Sequence, residues 1–247
     1  MNDKYRQQWE TLGEEDPYWA VLSEPDKKGD RWEKAEFFQS GADEIGSLFV
    51  KMTQLGLRPE FGFALDYGCG VGRLSRALAA SFQEVMGVDI SETMLSEARS
   101  INSGYDNLRF SRNDGETLKD IEDESVDFVY SNLVLQHSPR RIQRSLISEF
   151  CRILRPGGIL VFQTASHQNK KTIGGLLHFL SGNLSTKLAA RARYGKNSIM
   201  EMHTIDIKEV TEILHQRGIK IVEVEKCDAA GNAFVSHMYY VTKLFQQ

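Results

Sequence analysis

The sequence predicts an α/β fold: a doubly wound, seven-stranded, mostly parallel sheet whose last strand is antiparallel, with N-terminal helices and a helical insertion after strand five. Three observations predict it. Between residues 63 and 165 short apolar runs alternate with stretches of helical apolar spacing, the pattern of a parallel sheet covered by helices on both faces. Glycines cluster where the first of these runs ends. The last two runs are joined by Cys227–Ala233, a link too short for a parallel crossover, so the final strand must return antiparallel.

The elements follow in order. Residues 1–60 read as a helical cap that holds Trp9, Trp19 and Trp32, and residues 61–247 as one domain. Phe63–Asp66 is the first strand, and Leu74, Ala77 and Leu78 carry the next helix. Glu84–Val88 is the second strand, and Ser91 is an N-cap for a helix through Met94, Leu95 and Ala98. Leu108–Ser111 and Val126–Ser131 are the third and fourth strands. Ser138-Pro139 supplies an N-cap and first helical position for a helix through Leu154, with Pro156-Gly157-Gly158 as its stop and Ile159–Thr164 as strand five. A lid-like insertion, 166–203, interrupts the pattern before a helix at Ile207–Arg217 and strands at Ile219–Glu225 and Phe234–Lys243.

Bulk composition narrows the function classes. Apolar residues make up 41% and charged residues 26%, so a sizeable core forms and disorder is not indicated. The formal net charge of −4 argues against a surface built throughout for nucleic acid. Cys69, Cys151 and Cys227 are odd in number and widely spaced, which suggests neither a disulfide framework nor a zinc ligand set and fits a reducing cytoplasm. The first sixteen residues have no apolar signal region, and no apolar run approaches the ~20 residues of a membrane span.

The stretch LDYGCGVG at 65–72 is the most informative. Alternate glycines allow a tight turn and close approach of a ligand to the backbone, and in open α/β sheets ligands sit in this crevice. The spacing Gly68-x-Gly70-x-Gly72 is one residue short of the dinucleotide pattern. Asp66, two residues before the first glycine, opposes a pyrophosphate by like-charge repulsion and suits a ligand with an ammonium group. S-adenosylmethionine (SAM) has an amino acid end, a sulfonium and no phosphate. Asp89, at the end of the second strand, suits a carboxylate that accepts both ribose hydroxyls, and Asp114 suits the adenine amino group, with Gly115 leaving room for the ring.

With these pieces in order, the chain resembles the class I SAM-dependent methyltransferases. The matching pieces are LDYGCGVG at 65–72, GVDIS at 87–91, Asp114, VDFVYSN at 126–132 and LRPGG at 154–158. The resemblance implies Asp66, Gly68, Cys69 and Gly70 near the methionine part, Asp89 on the ribose, Asp114 at the adenine, and Ile90, Met94 and Gly115 around the nucleoside. It also implies that Asn132, ending the fourth strand, lies on the edge that faces the methyl. S-adenosyl-L-homocysteine would be the product.

Methyl transfer from a sulfonium is an in-line displacement whose leaving group departs neutral, so no metal ligand set is expected; a hydroxyl acceptor gains from a base. His137, just past the fourth strand, is the first candidate base, beside the alternative that it only orients the turn next to Ser138. His203, closing the insertion, is the second, and His167 and His178 rank below both. In the upstream helix, Arg31 is a candidate for the SAM carboxylate and Phe38 or Ser40-Gly41 for its edge, against an ordinary amphipathic helix.

The insertion carries Lys170, Lys171, Lys187, Arg191, Arg193 and Lys196 but one acid, Glu201, which suggests an acidic or phosphorylated partner or else a solvated helix face. Phe179 and Tyr194 are its only large aromatics, too few for a nucleic-acid platform. The reading that results is a methyltransferase of a small molecule, on oxygen, with a sugar, lipid-linked or secondary-metabolite acceptor. A protein or RNA methyltransferase and a SAM-binding regulator without turnover are the alternatives. A nicotinamide oxidoreductase is disfavoured by the glycine spacing and Asp66, and amino-group methylation of bases by Ser131-Asn132-Leu133-Val134, which lacks the Asn/Asp-Pro-Pro-Tyr/Phe motif. The oligomeric state is not readable from the chain.

Overall fold

The computed structural model describes residues 2–184, 188, 191 and 200–245. Three helices come first: α1 (Asn2–Glu15), α2 (Pro17–Val21) and α3 (Lys34–Gln54). Strand and helix then alternate through β1 (Phe63–Tyr67), α4 (Arg73–Ala79), β2 (Glu84–Asp89), α5 (Glu92–Ile101), β3 (Leu108–Arg112), β4 (Val126–Ser131), α6 (Arg140–Ile153) and β5 (Leu154–Gln168). The chain continues as α7 (Ile173–Ser181), α8 (Ile207–Gln216), β6 (Ile219–Cys227) and β7 (Phe234–Lys243). The seven strands run in the order β3-β2-β1-β4-β5-β7-β6, with β7 antiparallel to both its neighbours. The antiparallel final strand is therefore as the short 228–233 link requires.

Four expected boundaries move. The helix after β4 is capped by Pro139, not Ser138, and ends at Ile153; Leu154 already has extended backbone (φ −69°, ψ 125°). Pro156-Gly157-Gly158 is therefore not the stop but part of β5. A proline at 156 pushes the residue before it out of the helical region, so the chain has to leave the helix sooner. Strand β5 also runs past Thr164 to Gln168, because pairing with β7 continues through a bulge between Ala165 and His167 to Phe234.

The chain forms two compact units. The first holds residues 1–115 and 125–130. Parallel pairs β1–β2, β1–β4 and β2–β3 align its strands, and Phe49, Phe61, Phe82 and Phe128 pack ring against ring beneath them. Trp19 and Trp32 are buried, as core tryptophans, and each donates its indole N–H to a main-chain carbonyl, of Glu24 and Leu22. Asp16 holds the following loop by accepting the amides of Gly29 and Asp30. Glu10 of α1 accepts Ser91 Oγ and the amides of Glu92 and Thr93 at 2.8–2.9 Å, so α1 caps the start of α5. The hydrogen bonds from those groups outweigh burial and hold Glu10 below the usual carboxylate pKa.

The second unit holds 116–124 and 131–247. Helix α6 buries Ile142, Leu146, Ile147 and Phe150, and Phe162 of β5 stacks on Tyr239 of β7 at 4.8 Å. Arg152 donates to the carbonyls of Leu118 and Ile121 and pairs with Glu149 and Asp123, which fixes the 116–124 segment to α6. Among the described residues no helix is long and apolar enough to cross a membrane.

Candidate functional site

The glycine turn follows β1, and its amides are used inside the protein. Gly68 and Cys69 donate to the Val88 carbonyl, Gly72 donates to Cys69, and Gly70 donates to the Asp89 carboxylate at 2.9 Å. A loop that cradles a pyrophosphate directs such amides outward at the anion. Here the amides turn inward, and the charges beside the turn are the carboxylates of Asp66 and Asp89 and the Arg73 guanidinium; the two aspartates suit a cationic amino acid ligand better than a pyrophosphate. Gly70 has φ +53°, and a Cβ there would come within 2.3 Å of Val21 Cγ2, so α2 seats directly on the turn.

Asp66 lies fully beneath the turn and accepts Ser75 Oγ at 2.6 Å. Burial pushes its pKa up to about 7, against the Ser75 bond and the positive charge of Arg73. Arg73, the first residue of α4, is itself buried; it donates to Glu44 of α3 at 2.6 Å and to Ser40. The other oxygen of Glu44 accepts Tyr130 Oη of β4 at 2.8 Å.

Asp89 is half-buried at the end of β2, one oxygen taking the amide of Gly70 and the other that of Ser91. The Ile90 amide also bonds this carboxylate, which with about four acceptor positions keeps capacity for a hydroxyl. Burial raises its pKa, opposed by these backbone donors. Ile90 is half-buried, Met94 and Cys69 are buried, and Asp114 is exposed. Gly115 (φ +74°) lies so near Ile90 that a Cβ would meet Ile90 Cδ1 at 2.6 Å, so the missing side chain keeps that corner open. The structure thus brings Asp66, Gly68, Cys69, Gly70, Asp89, Ile90, Met94, Asp114 and Gly115 into one unit. Of the upstream candidates, Arg31 is exposed, Phe38 stacks under the Arg76 guanidinium at 3.5 Å, and Ser40 Oγ donates to the Phe37 carbonyl.

Asn132 opens the second unit just past β4, half-buried and next to Leu133, whose φ is +63°. Backbone strain of this kind in a non-glycine residue is held by its surroundings. The polar cluster beyond it joins β5, the turn after β4 and the end of the insertion. Gln163 Nε2 donates to Gln136 Oε1 at 3.0 Å, and Gln136 Nε2 lies 3.3 Å from His137 Nε2. His137 Nδ1 is 3.0 Å from the Glu201 carbonyl, which can only accept, so Nδ1 carries the proton and Nε2 receives the Gln136 amide. Burial lowers the pKa of His137 to about 4. Its ring is neutral near pH 7 and both nitrogens are engaged, which favours the orienting reading over the base.

His203 differs. Its amide donates to the Gln136 carbonyl at 2.7 Å, and Nε2 stands 3.5 Å from the buried Glu201 carboxylate. At that distance the carboxylate faces the ring as a negative charge that favours its protonated form. Glu201 is a residue that sequence reasoning left without a role, although its position as the one acid in 166–203 was a visible signal. Glu10, Glu44 and Arg73 carried no such signal. His167 bonds Ser166, and His178 packs edge-on against Phe234. Of the basic residues, Lys187, Arg193 and Lys196, and with them Tyr194, lie outside the described residues.

Comparison with known proteins agrees with this geometry. Residues 65–162 match the family profile of a methyltransferase domain. The malonyl-[acyl-carrier protein] O-methyltransferase of Methylococcus capsulatus is 42% identical over 124 residues, 49% of this chain and 43% of that protein. The ubiquinone biosynthesis O-methyltransferase of Hahella chejuensis is 36% identical over 142 residues, 57% of this chain and 58% of that one. The chain thus spans about half the length of the curated relatives it matches. The crystal structure of magnesium protoporphyrin IX methyltransferase from Synechocystis PCC 6803 with bound SAH superposes with a TM-score of 0.63 at 20% identity, over 98% of this chain and all of that one, which establishes the common fold. A glycine turn of this spacing, an aspartate closing β2 onto it, and the match across 65–162 show a methyltransferase domain of the class I SAM-dependent type within this chain.

Proposed function

We propose that this protein transfers a methyl group from SAM to a hydroxyl or carboxyl oxygen of a small or carrier-linked acceptor. The observation that carries the cofactor half is the turn whose amides bond inward while Asp66 and Asp89 surround it with carboxylates. Bound SAM supplies an electrophilic methyl on a sulfonium. In this reading Asp89 accepts the ribose hydroxyls with the acceptor capacity left by the Gly70, Ile90 and Ser91 amides, Asp66 faces the ammonium group, and Ile90, Met94 and Gly115 enclose the nucleoside, with Asp114 toward the adenine. Asn132 stays with the proposed cofactor set at the edge facing the methyl. Oxygen as the reacting atom is supported by the two relatives, both named as O-methyltransferases. His203 is the proposed base, and Glu201 the neighbouring carboxylate that raises its basicity.

Calorimetry with SAM, S-adenosylhomocysteine and NAD tests the assignment: both adenosyl ligands are expected to bind, and tight NAD binding without SAM binding would overturn it. Asp89→Ala is expected to weaken SAM binding by about 1.5–3 kcal/mol, the loss of hydrogen bonds to a charged acceptor. Unchanged affinity, with the melting temperature also unchanged, removes Asp89 from the site. Asp66 adds a pH signature. Its pKa of about 7 drops when a cation arrives, so the complex holds fewer protons than the free protein. SAM affinity should therefore rise from roughly pH 6 to pH 8, and Asp66→Asn should flatten the profile. A wild-type profile as flat as that of the variant places the ammonium elsewhere.

A further inference from the structure

Helix α7 is built the wrong way round for a helix on a water-soluble surface. Such helices turn their apolar stripe inward. Here the buried positions are Gly175 and His178, while Ile173, Leu176, Leu177, Phe179 and Leu180 are exposed, with Leu184 and Leu188 also exposed beyond the helix's end at Gly182. Ile173 is 82% exposed and Leu180 71%. Cations flank these residues: Lys170 and Lys171 before them and Arg191 after them, with Lys170 Nζ 3.5 Å over the Phe179 ring. The sequence has six Lys or Arg and no acid between 166 and 200, in a chain whose net charge is −4.

We infer that α7 docks this protein on an anionic lipid surface. The exposed aliphatic side chains enter the acyl boundary and the flanking cations meet the headgroup phosphates, the arrangement of interfacial amphipathic helices. Charge complementarity decides against a second copy of the chain on the same face, since two copies would bring like-charged segments together. An acidic protein would answer the cations but leave large aliphatic side chains in water. The inference rests on α7 alone and stands apart from the methyl-transfer reading.

The test is co-sedimentation of the full chain with vesicles of phosphatidylcholine and phosphatidylglycerol in a roughly 3:1 ratio, against phosphatidylcholine alone. Binding to the anionic vesicles is expected, several-fold weaker to the neutral ones and falling with salt. The triple variant Leu177→Ser, Leu180→Ser, Leu184→Ser should partition about tenfold less or lower still, at an unchanged melting temperature. Lys170→Glu with Lys171→Glu should lose the preference for anionic lipid. Absence of pelleting at low salt, or equal pelleting of the triple variant, overturns the proposal. So does a concentration-dependent dimer that the triple variant abolishes, which would make this face an interface between copies. Capture of an acidic carrier protein without vesicle binding would assign the face to that partner instead.

Discussion

His203→Ala is expected to lower kcat by roughly 10²- to 10⁴-fold, the usual contribution of a positioned base, while leaving SAM affinity within about twofold. Glu201 is buried and its carboxylate faces Nε2 of His203, while the His203 amide is tied to the turn after β4. That bond fixes the ring's anchor, and the carboxylate stands beside the ring as a counter-charge. Glu201→Gln should keep the placement but weaken the base, so the acid limb of the kcat profile shifts to lower pH rather than the whole profile falling uniformly. A uniform fall with no shift would make Glu201 merely structural. His137→Gln should change turnover far less, because its ring is neutral and both nitrogens are already engaged. If His203→Ala retains full turnover and His137→Gln does not, the two histidines exchange roles.

Glu44→Ala is expected to cost about 3–5 kcal/mol of stability, because it leaves the buried Arg73 guanidinium without its anion. The same change removes the acceptor of Tyr130 Oη. Glu44→Gln keeps both acceptors and should lose less. Replacing both partners, as in Glu44→Ala with Arg73→Met, should recover much of the loss, since no buried charge then stands alone. Denaturant midpoints at constant m-value measure this. A loss under about 1 kcal/mol for Glu44→Ala would mean that water reaches the guanidinium when the carboxylate is gone.

How far the sequence was legible follows from the kind of interaction involved. Strands β1 to β4 and the helices between them are written in short apolar runs and caps, and Ser91 does cap α5 by accepting the Met94 amide. The helix end near Leu154 was misplaced because the Gly pair is a louder signal than the quieter effect of Pro156 on its predecessor. At the site, aspartates at strand ends were readable because spacing alone puts them on one sheet edge. The partners of those residues were not. Glu44 and Arg73 are 29 residues apart, and Glu10 reaches Ser91 across 81. Nothing local marks either acid as different from its solvated neighbours. His137 shows the same limit in reverse: its position suits a base or an orienting residue, and the Gln136 and Glu201 contacts that favour the second are not legible in the sequence.

The sheet order has a consequence for how the second unit is made. Its last strand in sequence, β7, lies between β5 and β6, so neither of those edges is covered until residues 234–243 are in place. The β5–β7 ladder joins residues near 160 to residues near 240, a high-contact-order closure that is slow to form. During synthesis at the ribosome, β5 must therefore wait with an open edge while some seventy further residues emerge. Co-translational folding should finish the glycine-turn unit well before the second unit, and a chain shortened by its final strand should aggregate rather than merely lose activity.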